Sequence, residues 1–268
     1  MSLLHNEDFY RFLRGKKNLS TVTVKGMIGR IPNTLSNLDD PEQLYRYYFS
    51  VLDRDTSSAH KRQIHYALKY YCEYKNWEFD FKPPKQHMKR RQHSQLEDIW
   101  KLIEVIEDKR DLAIIMFHLY TGLRPSELLT LELKDVDLDH GLVKIRDTKT
   151  YMDRIVPVNR KAISILKKYL MTREDNFPLL FKSYRWDKQV SLRAYRCVLT
   201  KYCNKANLNN ITPYMIRHTF ATCYVENGGN IKALKEILGH RQIKTTEIYI
   251  HESEKIVKKD YERACPDF

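Results

Sequence analysis

No stretch of this 268-residue chain approaches the apolar length of a membrane-spanning helix. The opening MSLLHNEDFYRFLRGKK lacks the apolar core of a secretory leader, so neither insertion in a membrane nor export is expected. Cysteine is sparse and unpaired. Cys72, Cys197, Cys203, Cys223 and Cys265 are odd in number and scattered, with no CxxC pair and no Cys/His cluster at zinc spacing. That pattern argues against a metal site and for reduced thiols in an intracellular protein. Internal repeats and low-complexity tracts are absent as well.

Acidic residues are the other shortage. Against 34 Asp and Glu stand 47 Lys and Arg, a formal net charge of +13. An excess of this size suits a polyanionic partner, because each phosphate neutralised by Lys or Arg releases condensed counterions. A merely soluble basic protein has the same balance, so charge alone does not choose. With 42% hydrophobic residues the chain can bury a core, and its length suits about two domains.

The clearest seam is FKPPKQHMKRRQH, residues 81–93, where two adjacent prolines block helix and strand and a basic run follows. Upstream, PEQLYRYYFSVL and QIHYALKYYCEYKNW have helical periodicity rich in tyrosine, most of which reads as packing between helices. Lys61, Arg62, His65 and Lys69 on that stretch, with Lys85, Lys89, Arg90 and Arg91 of the seam, are candidate contacts to a DNA backbone. An ordinary solvated loop competes for the seam. Downstream, SQLEDIWKLIEVIED opens with a capping box, Ser94 and Glu97. DLAIIMFHLYTG reads as a buried helix stopped at Gly122. GLVKIRD and RIVPV are short β-rich runs around the polar turn TKTYMD, and KAISILKKYL is an amphipathic helix. Thr212 with Pro213, and Asn230 with Gly239, mark the bounds of two further helices. The expected fold is mainly α with a small antiparallel β-sheet (α+β), in two domains.

Cleaving a phosphodiester without a metal requires a nucleophile, cations on the non-bridging oxygens, an acid for the leaving oxygen and groups that fix these parts. Arginine suits the second task, since its planar fork stays charged and donates to two oxygens. TGLRPSELLTL sets Arg124 just past an apolar helix with Glu127 three residues on, able to hold the guanidinium from behind. Taken singly, such a pair is a surface ion pair of little worth. In PYMIRHTFAT, Tyr214 and Arg217 share one face near a helix N-terminus, where an anion is favoured. LGHRQIKTTEIYIH supplies His240 and, nine residues on, Tyr249, which between two isoleucines is by default a core residue.

Taken together and in order, these four segments resemble the boxes of the tyrosine recombinase (integrase) family. TGLRPSELLTL is similar to its first-arginine box, PYMIRHTFAT to its second, LGH to the His/Trp position and TTEIYIH to the nucleophile box. The resemblance covers residues of about 94 to 255. It implies that Arg124 and Arg217 clamp the phosphate, that Glu127 supports the first, and that Lys149 in the hairpin turn protonates the departing 5′ oxygen, with Lys144 close by. It further implies that His240 binds the phosphate or assists the nucleophile, and that Tyr249 forms the 3′-phosphotyrosine. One position departs from the family: Tyr214 stands where a histidine is common. A phenol still donates to phosphate, yet is poorly suited to shuttle protons at neutral pH. His218, about 100° round the helix from Arg217, is not expected to take that place.

The resemblance therefore implies a clamp on duplex DNA made of a helical core-type DNA-binding domain (1–82), a basic linker (83–93) and a catalytic domain with a C-terminal tail (94–268). The expected activity is site-specific recombination without cofactor or metal, for integration or excision of a virus or mobile element. A host dimer-resolution recombinase of the Xer type is the nearest alternative. A type IB topoisomerase and a non-catalytic DNA-binding protein are rivals of other classes. The expected partners are double-stranded DNA at defined sites and, on it, three further copies of the chain. A monomer or dimer is expected in free solution, in the cytoplasm at the nucleoid.

Overall fold

The computed structural model describes residues 2–32, 40–85, 96–146, 153–184 and 186–251. The chain divides into two compact units, Met1–Arg90 and Arg91–Phe268.

The first unit is four helices: α1 (Ser2–Gly15), α2 (Thr21–Ile28), α3 (Pro41–Asp53) and α4 (Ser58–Lys75). Local chemistry sets their starts. Ser20, Asp40 and Ser57 each accept a backbone N–H of the first turn, and Pro41 follows its cap at the position where a missing N–H costs nothing. α4 ends on Asn76 in the left-handed region, φ 58°. Phe9, Leu13, Val24, Leu44, Tyr48, Val51, Ile64, Leu68 and Tyr71 form the core. The tyrosine-rich pattern is thus packing, as its periodicity implied. His65 departs from expectation. It falls on the Ile64–Leu68–Tyr71 side of α4, is buried, and bonds Tyr48 Oη through Nδ1 at 2.8 Å, so it does not join Lys69 on the surface. Phe81, the first residue of the seam, also belongs to this core, with its ring against Tyr45, Phe49 and Phe79.

The second unit holds α5 (Leu96–Glu104), α6 (Lys109–Thr121), α7 (Pro125–Thr130), β1 (Val136–Asp137), β2 (Leu142–Ile145), β3 (Arg154–Pro157), α8 (Arg160–Leu170), α9 (Leu192–Lys205), α10 (Pro213–Glu226), α11 (Ile231–Leu238) and α12 (Lys244–His251). The apolar α6 lies at its centre, against α8 and α10, and contributes Ile114, Ile115 and Phe117 to the core. It stops where expected, at Gly122, φ 59°. A side chain there would be strained by the positive φ and would put a Cβ within 2.1 Å of the Phe220 ring, forcing it to move. The sheet is antiparallel in the order β1-β2-β3, with Val143 opposite Val156 and Ile145 opposite Arg154. Along β2, Val143 and Ile145 point inward and Leu142 and Lys144 outward, the period-two pattern of a half-buried strand. Thr212 and Asn230 cap α10 and α11 through their side chains, and Gly239 ends α11 in the left-handed region. The hairpin turn, Ser94 of the expected capping box, most of the linker and the tail beyond 251 lie outside the described residues.

Candidate active site

Three helix ends meet in the second unit: the C-terminus of α6, the C-terminus of α11 and the start of α7. Arg124 is the residue that caps α7. Its backbone N–H donates to Glu127 Oε2 at 2.7 Å, its Nη1 to Glu127 Oε1 at 2.7 Å, and its Nη2 to the Gly239 carbonyl. The expected support of Arg124 by Glu127 is therefore present, and it is no loose surface pair, since the Glu127 side chain is 11% exposed.

Glu127 has a second partner that spacing in the sequence did not reveal. Arg154, at the head of β3, donates to both carboxylate oxygens, at 3.0 and 2.8 Å, and through Nε to the Ile237 carbonyl at 2.9 Å. Burial by itself raises the Glu127 pKa, yet Arg154 and Arg124 together hold the carboxyl below its ordinary value. The carboxylate is ionised and shared by two guanidinium groups.

Arg217 approaches from α10. Its Nη1 donates to the Gly122 carbonyl at 2.8 Å, and its Nη2 to the Leu238 carbonyl at 2.8 Å and to His240 Nε2 at 3.1 Å. Burial, then the neighbouring charge of Arg124, lowers its pKa to about 10, and it stays protonated at neutral pH. A buried Arg217 and a half-buried Arg124, both held on main-chain carbonyls, with the Glu127 carboxylate behind Arg124, leave a net positive site fit for a phosphate.

The approach to Arg124 is pinned as well. His118 is fully buried; its Nε2 donates to the Leu123 carbonyl at 2.9 Å, so its Nδ1 must accept from Tyr195 Oη at 2.9 Å. Burial lowers the His118 pKa to about 3, and the ring is neutral.

Tyr249, 2% exposed, lies on α12, which packs on α10 and α11. It lies within electrostatic range of Arg217. The His218 ring stands edge-on to the Tyr249 ring, centroids 4.9 Å apart. His218 is therefore turned towards the expected nucleophile, as its angular offset from Arg217 allows. His240 Nδ1 is 2.9 Å from the hydroxyl of Thr246 on α12. Tyr214, on the first turn of α10, is 55% exposed while Arg217 is buried. Lys149 lies outside the described residues, and Lys144 pairs with Asp153 at 3.3 Å.

The candidate DNA contacts of the first unit divide. Lys61 Nζ donates to the Leu52 carbonyl at 2.5 Å, and Arg62 to the Pro84 carbonyl at 2.9 Å with its guanidinium over the Tyr66 ring. Lys69 and Lys85 are exposed, and Lys89, Arg90 and Arg91 lie outside the described residues. Among the described residues no three His, Cys, Asp or Glu side chains come together as a metal site, and no helix is long and apolar enough to cross a membrane.

Residues 89–255, more than half of the chain, match the phage integrase family. The chain belongs to this family, the tyrosine recombinases. Over 172 residues it is 38% identical to tyrosine recombinase XerA of Pyrococcus furiosus; the match covers 63% of this chain and 60% of that one, less than two thirds of the relative. The crystal structure of XerA recombinase superposes with a TM-score of 0.60 at 26% identity, over 98% of this chain and 99% of that one. The Tn1549 transposon integrase in complex with circular intermediate DNA shares the fold, with a TM-score of 0.73 at 19% identity over 97% and 99% of the two chains. The segment matched by the family holds Arg124, Glu127, Arg154, Arg217, His240, Thr246 and Tyr249, and no part of α1 to α4.

Proposed function

We propose that this chain is a site-specific DNA recombinase that cuts and rejoins strands through Tyr249, most simply as the integrase of a virus or mobile element. The observation that carries the proposal is the arginine pair. Arg124 and Arg217 converge on the Gly122, Leu238 and Gly239 carbonyls, with His240 on Arg217 and Tyr249 on the helix packed beside them. In the proposed reaction the two arginines hold the non-bridging oxygens and the Tyr249 hydroxyl attacks phosphorus. The 5′ oxygen leaves with a proton from Lys149. The phosphotyrosine keeps the bond energy, so a second DNA end can reverse the step without ATP. Both units contact DNA, Lys69 and Lys85 being the exposed candidates for its backbone in the first unit, and four copies assemble on paired sites in the cytoplasm. A host recombinase of the XerA kind is the second reading, favoured by the 38% identity.

The test incubates the full chain in EDTA with a plasmid carrying the DNA that flanks its gene, followed by a detergent quench. Protein covalently attached to DNA in the wild type and absent in Tyr249→Phe is the expected result. Salt-sensitive binding with no adduct would leave only a DNA-binding role.

A further inference from the structure

Both ring nitrogens of His240 are engaged, and the partner of one settles the role of the other. Arginine has donors only, so at 3.1 Å from Arg217 Nη2 the Nε2 atom must accept. A neutral imidazole with an accepting Nε2 carries its proton on Nδ1, which then donates to Thr246 Oγ1 at 2.9 Å. Thr246 is fully buried and belongs to α12, three residues before Tyr249. A single turn of that helix therefore carries the proposed nucleophile and the hydroxyl that accepts the imidazole Nδ1–H.

We infer that Thr246 is a positioning residue for strand cleavage: its hydroxyl accepts the Nδ1–H that Arg217 imposes on His240, anchors the ring, and so keeps an Nε2 lone pair at the arginine clamp to take the proton of Tyr249. The inference rests on the recombinase function proposed above and concerns the same site. It supplies a proton acceptor where Tyr214 cannot, since a phenol gives a proton to a hydrogen bond but takes one poorly near neutral pH. The step balances. Tyr249 Oη bonds phosphorus as its proton passes to Nε2, giving an imidazolium whose Nδ1–H stays on Thr246. The bond from phosphorus to the 5′ oxygen breaks, and that oxygen takes its proton from Lys149. Rejoining returns both protons.

Arg217 adds an order to the events. Its N–H faces the Nε2 lone pair, and a phosphate oxygen competes for that N–H as the stronger, charge-assisted acceptor. Seating the scissile phosphate thus releases Nε2, and the acceptor becomes available only when there is a bond to cut.

Two measurements test this on the full chain. The first needs no DNA: two-bond 15N–1H correlation of protein labelled at histidine, with His240→Gln identifying the signal. Wild type is expected to show His240 with bare Nε2 and protonated Nδ1, and Thr246→Val to show this preference weakened, because the Nδ1–H loses its acceptor. An Nε2–H tautomer in the wild type would overturn the inference while leaving the recombinase reading intact. The second is single-turnover cleavage of a nicked duplex built on the junction mapped in the plasmid experiment. At saturating DNA, Thr246→Val is expected to lower the rate about 10- to 100-fold with DNA affinity within about twofold, and Thr246→Ser to recover it to within about threefold. Thr246→Val cutting at the wild-type rate, or Thr246→Ser as impaired as Thr246→Val, would overturn it. A wild type that never forms the adduct would overturn the recombinase reading and this one together.

Discussion

Arg154 grips the carboxylate of Glu127 with both Nη atoms, at 3.0 and 2.8 Å, while Arg124 Nη1 donates to Oε1 of the same carboxylate at 2.7 Å. Arg154 and Glu127 are nearly as buried as each other, at 10% and 11% side-chain exposure. Removing one partner of such a pair strands the other charge away from water. Arg154→Ala is therefore expected to cost about 3–5 kcal/mol of stability, and Arg154→Lys less, since lysine keeps the charge but loses the fork. Urea unfolding measures both. A loss under about 1 kcal/mol for Arg154→Ala would mean that Arg124 alone satisfies Glu127.

His118 gives a pH dependence whose sign is fixed by its burial. Its folded pKa, about 3, lies below the ordinary value of 6.5, so the unfolded chain takes the proton first. The stability held by the neutral ring is complete above about pH 6.5 and falls as the pH drops towards 3, by up to about 1.4 kcal/mol per unit. His118→Gln, which does not titrate, should flatten this slope: its deficit relative to wild type should shrink by about 2 kcal/mol between pH 7 and pH 5. Denaturant midpoints at the two pH values decide it, and an unchanged deficit would count against a neutral buried His118.

Gly239 is one of the places where the main chain meets the clamp. Its φ is 64°, and a Cβ would meet Arg154 Nη1 at 2.8 Å and Arg124 Nη1 at 3.2 Å. Gly239→Ala should cost about 1 kcal/mol or more through backbone strain and slow cleavage by moving both guanidinium groups. Gly228, at φ 83° with nothing within 4 Å of an added Cβ, is the control. Gly228→Ala should carry the backbone cost and leave the cleavage rate alone.

Much of this was legible in the chain because it is written locally. Caps at Thr212 and Asn230, the stops at Gly122 and Gly239, and the alternation along β2 each follow from a few neighbouring residues. Arg124 and Glu127 are three apart, so helical spacing links them. The pairs that escaped are distant in sequence: Arg154 meets Glu127 across 27 residues and Tyr195 meets His118 across 77. No period or motif connects such positions, and the arginine at the head of RIVPV was the one signal that could have been noticed. Thr246 was legible as part of the nucleophile box, but its service to His240 depends on where α12 docks. Lys61 and Arg62 show the converse limit, since a basic side chain written on a helix can spend its donors on its own backbone.

Arg217 rests on the carbonyls of Gly122 and Leu238, and Arg124 on that of Gly239, at the C-terminal ends of α6 and α11. Such ends carry the negative pole of their helices, which offsets the repulsion between two neighbouring cations. A peptide oxygen is also supplied by every amino acid. Leu238 is fully buried beside Tyr249, so its exchange is limited to apolar side chains of similar size, but none of these alters the acceptor it offers. The clamp is thereby insulated from such apolar exchanges in its own foundations, and the burden of inheritance falls on the arginines and on two glycines.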